Sequence, residues 1–301
     1  MRLPLSRRRF LLMSAAACAA TQVTAATPTA IWRGQALGTR ADVQLVGLDR
    51  EEAAPVFRAV EAELARIDTL FSLYRTDSAI MRLNREGSLP DAPPDMLALL
   101  TLTRSVYHVT EGAFDPTVQP IFALHAEAAA AGRAVDADAL LEARRRVGFD
   151  QVSFDATSVR FDRPGMAMTL NGIAQGFATD RLATLLKDSG LRDVMVNAGE
   201  IRGMGNGGDA KGWPVRLPGG RVCRLENCAV ATSALFGTRL DPVRQVSHIF
   251  DPSGKDVTLR TAPVTAFHES AAIADAASTA AVVMTDRQLA LLKRLDVDLE
   301  L

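Results

Sequence analysis

Residues 50–74 read REEAAPVFRAVEAELARIDTLFSLY, with Phe57, Val60, Leu64, Ile67 and Phe71 at steps of three and four. Only a helix gathers such positions on one face, so this segment is an amphipathic helix that needs an apolar surface to lie on. The stretch before it, ADVQLVGL (41–48), alternates as a half-buried strand does. Further strand patterns follow singly and in pairs: a hairpin over 150–162, DVMVN at 193–197, several short strands over 213–250, and VTAF at 264–267. Between them lie helical patterns: about Asp95 to His108 after Pro93-Pro94, a segment opening near Gly172 and ending at Gly190, and the small-residue run SAAIADAASTAAVVM. The Ala-rich stretch 125–148 reads as a loop plus a helix ended by Gly148, and RQLALLKRL reads as the helix that closes the chain. Strands that come in runs as well as between helices predict an α+β fold with mixed or antiparallel sheets and flanking helices. No internal repeat or firm linker divides residues 27–301, which read as a single domain.

The first 26 residues are set apart. Ser6-Arg7-Arg8-Arg9-Phe10-Leu11, a short apolar run to Ala20 and small residues near Ala25 form a twin-arginine export signal. The apolar run is too short to span a bilayer, so no stable membrane insertion is expected. Cys18 sits where a lipid-bearing cysteine would, but the alanines before it favour ordinary processing. A periplasmic destination bears on Cys223 and Cys228, five apart around Glu226-Asn227. Either they form a disulfide, or they are two small buried hydrophobes. The net charge of −1 offers no basic field for phosphates, which excludes nucleic acid as a partner.

Three places carry possible chemistry. Gly203-Met204-Gly205-Asn206-Gly207-Gly208 satisfies G-x-G-x-x-G, but DAKGWPV follows it and no helix does, so it reads as a turn and not a dinucleotide site. Asp275 and Thr279 lie four apart on the small-residue helix and therefore share a face. A carboxylate and a hydroxyl there suit a hard cation such as Mg²⁺; taken alone, tight packing through alanines, with Asp275 as a cap or ion-pair partner, is the more ordinary account. MTLNGIAQGFATDRL (168–182) places Asn171, Gly172 and Gly176 where a helix starts. Glycine there serves close packing, or close approach of a ligand to free N–H groups.

Taken together, Gly112 to Pro120, TLNGIAQGFATD, VNAGEI, AVATSA, SHIFDPSGK and ADAASTA occur in one order over about residues 31–296. In that order they resemble the FAD:protein FMN transferase family. The TLNGIAQG variant beside the export signal looks most like the branch serving nitrous oxide reduction. The resemblance implies an FAD cleft between two lobes of a single family domain. It implies cleavage of the FAD pyrophosphate, transfer of FMN to a Thr or Ser hydroxyl of an acceptor flavoprotein, and release of AMP. In the branch named, that acceptor is a membrane-bound regulatory protein. It also implies Mg²⁺ held by Asp275, Thr279 and the Gly172 carbonyl. Tyr74, Ala113, Phe114, Asp115, Gln175, Thr232, Ser233 and His248 match the family's FAD contacts, and Asp275 or His248 would act as general base. This chain departs from most relatives at Gln175, where they carry Lys, at Thr169, where they carry an acid, and mildly at Glu200 in place of Asp. Those departures keep two alternatives open: a non-catalytic FAD carrier, and a Mg²⁺-dependent FAD pyrophosphatase.

Overall fold

The computed structural model describes residues 27–209, 211–254 and 259–301. The export signal and Cys18 lie outside them, as does Lys255 of the SHIFDPSGK motif. Strands β1 (Thr29–Ala36) and β2 (Thr39–Val46) form a hairpin turned at Leu37 and Gly38, both at positive φ (48° and 81°). Two left-handed residues match the right-handed strand twist, as two-residue hairpins require. Helix α1 (Arg50–Phe71) starts with a capping box between Asp49 and Glu52 and buries Val60, Leu64, Ile67 and Phe71. Then come α2 (Ala79–Glu86), β3 (Ser88–Leu89), α3 (Pro94–Val109), α4 (Gln119–Ala130) and α5 (Ala137–Arg144). A small hairpin of β4 (Val152–Phe154) and β5 (Val159–Phe161) follows, and then α6 (Asn171–Asp188). The second half contains β6 (Val194–Asn197), β7 (Ile201–Met204), β8 (Trp213–Arg216), β9 (Val222–Leu225), β10 (Cys228–Ser233), β11 (Arg239–Asp241) and β12 (Val246–Ser247). It closes with β13 (Val264–His268), α7 (Ala271–Val283), α8 (Asp286–Leu289) and β14 (Asp298–Glu300).

Seven strands form the main sheet in the order β1-β2-β6-β7-β10-β13-β14, antiparallel throughout. One face receives α1, α6 and α7. Val43, Leu45, Val194 and Val196 point there and are wholly buried with Ile173, Leu182, Ala276 and Ala280. The opposite face is covered by the β8–β9 hairpin, whose Trp213, Val215 and Leu225 pack with Val230, Met195 and Ile201. The period-two alternation of the strands therefore supplies both faces with apolar side chains. The fold is α+β with antiparallel sheets and flanking helices, as the order of patterns predicts.

Local readings differ in three places. The Ala-rich stretch is helical where a loop was expected: α4 runs through Ala130, and a separate α5 begins after the Asp136 cap. Pro120 in the first turn and the alanines after it favour helix on their own. RQLALLKRL does not close the chain as a helix. Only Asp286–Leu289 is α-helical, a 3₁₀ segment follows over Ala290–Leu295, and the last element is β14, paired with β13. The unread strand β1 and this β14 form the two sheet edges. Cys223 and Cys228 are free, half-buried thiols on β9 and β10, and burial pushes both above the usual thiol range.

Candidate active site

The chain turns out of the Met168–Leu170 segment into α6 with Leu170 at the N-cap position, where its side chain offers no acceptor. Thr169 Oγ1 accepts from the Asn171 N–H (3.2 Å) and the Leu170 carbonyl from the N–H groups of Ile173 and Ala174, and the positive end of the helix dipole lies at this turn. Gly172 departs from helical geometry (φ −85°, ψ 15°) and kinks the first turn. In an unbroken helix the Gly176 N–H would aim at the Gly172 carbonyl; here it donates to Asp275 Oδ2 at 3.1 Å.

Helix α7 brings Asp275 and Thr279 to that turn. Two contacts fix the crossing. A Cβ on Gly176 would lie 2.2 Å from the Ala271 carbonyl oxygen, so the backbones meet where only glycine fits. Asp180, one turn further along α6, caps α7 by accepting from Ser270 Oγ (2.6 Å) and the N–H groups of Ala271 (2.9 Å) and Ala272 (3.1 Å). Arg202 balances its charge. On the near side, a Cβ on Gly172 would sit 3.1 Å from Thr279 Oγ1. The missing side chain of Gly172 thus leaves the space that the Thr279 hydroxyl borders.

These elements enclose a cavity of about 360 Å³, within the size range of ligand sites. Ala113, Phe114, Asp115, Gly172, Gln175, Thr232, Ser233, His248, Asp275 and Thr279 all line it. Tyr74 is not among them. It is 81% exposed and borders a separate groove with Trp32 and Gly38. Asp115 is a buried tie: its oxygens accept from Thr117 N–H (2.8 Å), Thr117 Oγ1 (2.5 Å) and Phe149 N–H (3.1 Å). Burial nevertheless lifts its carboxyl above the usual range. His248 donates from Nδ1 to the Thr238 carbonyl (2.8 Å), which leaves Nε2 as its basic nitrogen. Burial holds the ring below the ordinary imidazole value, so it is neutral at pH 7. Ser233 Oγ links Ser278 Oγ (2.8 Å) and Thr279 Oγ1 (3.2 Å) in a short chain of hydroxyls. Gln175 packs on Gly199, where a Cβ would fall 2.5 Å from its Oε1.

Glu200 also lines the cavity, although its sequence context gave no more than a glutamate in a familiar motif. Burial raises both carboxyls. Asp275 reaches about 7, and the charge of Asp275 lifts Glu200 further, with only the Thr232 amide opposing. No basic side chain offsets either group. Buried carboxylates without counter-charge are unfavourable. The groups on Asp275, Thr279, Ser233 and Glu200 are oxygens, the ligand type that hard cations prefer. The chemistry of the donor set therefore fits a hard divalent cation on Asp275, Thr279 and the Gly172 carbonyl.

Residues 37–301 match the ApbE family. An FAD:protein FMN transferase of Klebsiella pneumoniae is 28% identical over 294 residues, covering 91% of this chain and 84% of that protein. The fold is similar to that of the apo flavinyl transferase ApbE of Pseudomonas stutzeri (TM-score 0.77, 25% identity, 91% and 90% of the two chains). It is also similar to the ApbE protein of Thermotoga maritima (TM-score 0.75, 25% identity, 90% and 93%).

Proposed function

The chain belongs to the ApbE family, and from that premise we propose that it is a Mg²⁺-dependent FAD:protein FMN transferase. The observation that carries this is the meeting of Asp275 and Thr279 with the kinked start of α6 in one cavity. Transfer requires an acceptor hydroxyl oxygen to bond to the FMN phosphorus while the bridging P–O bond breaks and AMP departs with the electron pair. Little covalent chemistry is asked of the protein, so positioning and charge neutralisation dominate. The start of α6 offers the positive end of its dipole to a diphosphate. Gln175 adds a neutral amide, weaker toward phosphate than a lysine by the difference between ordinary and charge-assisted hydrogen bonds. His248, neutral and with Nε2 basic, is suited to take the acceptor hydroxyl's proton. A Mg²⁺ on Asp275, Thr279 and the Gly172 carbonyl supplies neutralisation of the phosphate oxygens.

The twin-arginine motif supports a periplasmic site of action, and the TLNGIAQG form supports an acceptor flavoprotein of nitrous oxide reduction. Incubation of the protein with FAD, Mg²⁺ and an acceptor domain should yield a covalently flavinylated acceptor and AMP in equal amounts. FMN and AMP released without any acceptor would instead mark a pyrophosphatase. A competent acceptor left unlabelled by FAD-loaded protein would sink the proposal.

A further inference from the structure

Three carboxylates line the cavity among the described residues, and Glu200 alone has no task so far. Asp115 is consumed by Thr117 and Phe149, and Asp275 faces the α6 turn. Glu200 ends the β6–β7 turn immediately before β7, and its place is fixed from two sides. Thr179 Oγ1 on α6 donates to its carbonyl at 2.9 Å. The β7–β10 pairing sets Ile201 opposite Val230, which brings Glu200 alongside the strand end that carries Thr232 and Ser233. Ser233 Oγ in turn touches Thr279 Oγ1 at 3.2 Å. Glu200 is therefore held next to the hydroxyl and the carboxylate of α7 by backbone that does not depend on its own side chain. No Lys or Arg among the described residues forms an ion pair with Glu200 or Asp275.

Mg²⁺ is commonly held by one or two carboxylates together with substrate phosphates, and each added carboxylate charge strengthens the protein's own share of that hold. We infer that Glu200 is the second carboxylate of the divalent-cation site, and that it allows the protein to take up the cation before FAD arrives. The inference rests on the reading of Asp275 and Thr279 as cation ligands.

The test is titration of the metal-stripped, FAD-free protein with Mn²⁺, followed by electron paramagnetic resonance. The wild type should bind Mn²⁺ without FAD. Glu200→Gln should weaken binding roughly tenfold to a hundredfold, the scale seen when a metal site loses a supporting carboxylate. Glu200→Asp, which keeps the charge, should recover most of it. Metal-free Glu200→Gln should unfold at no lower temperature than the wild type, because one of two facing carboxylates is neutralised. A metal-free variant that unfolds earlier would give Glu200 a structural role and overturn the inference. So would a wild type that takes up Mn²⁺ only with FAD present, or unchanged Mn²⁺ affinity in Glu200→Gln while Asp275→Asn loses it. Asp275→Asn binding Mn²⁺ like the wild type would overturn the cation-site reading itself.

Discussion

Gly172 and Gly176 stand one turn apart in α6 and answer to different neighbours. An alanine at 172 would bring its Cβ within 3.1–3.3 Å of Thr279 and Phe114, contacts that side-chain shifts of a few tenths of an ångström relieve. Gly172→Ala should therefore fold, with a thermal midpoint near that of the wild type, yet lose flavin transfer about tenfold or more through displacement of Thr279. Rate and melting measurements on one preparation check this. Asp275 makes a second residue-scale case. Its carboxyl is lifted to about 7 when folded, against an ordinary value near 4. The folded state thus holds a proton that the unfolded chain has released. The metal-free protein should lose stability from this group as pH rises from about 4 to about 7. A cation must displace that proton, so the gain in melting temperature on adding Mg²⁺ should be larger at pH 8 than at pH 6. An equal gain at both values would remove Asp275 from the site.

At the scale of elements, the site is a helix crossing. An alanine at 176 would put its Cβ 2.2 Å from backbone oxygen, which no rotamer change relieves. The helices must part, at the ~1–3 kcal/mol typical of overpacking or more. Gly176→Ala should therefore lower both stability and activity, in contrast to Gly172→Ala. Asp180 is the other fastener. Its removal leaves the N–H groups of Ala271 and Ala272 without their acceptor and Arg202 without its partner, while the Ser270 cap remains. Asp180→Ala should cost about 2 kcal/mol in denaturant unfolding, the upper range for a helix cap. Both effects reach Asp275 by moving α7, from two residues that do not themselves line the cavity.

For the whole molecule, one antiparallel sheet holds the parts in place: its helical face carries α6 and α7, and the β6–β7 turn delivers Glu200. Export belongs to this scale as well. Replacing Arg7 and Arg8 together by Lys should keep the protein in the cytoplasmic fraction if the twin-arginine reading holds, and cell fractionation decides it. Much of this was legible in the chain. The three-and-four spacing of Val60, Leu64, Ile67 and Phe71 dictates a helix with a buried face, and α-helical geometry alone puts Asp275 and Thr279 side by side. Such statements concern near neighbours, where the period of the backbone decides who meets whom. β1 and β14 escaped because edge strands carry less regular burial, and pairing with β2 and β13 makes them strands. Whether Gly176 serves packing or ligand, that Asp180 caps a helix ninety residues away, that Tyr74 borders a different groove, and that Glu200 faces Asp275 were decided only by tertiary structure. These are contacts between distant segments, set by how side-chain volumes fill the space between sheet and helices, and no local periodicity encodes them.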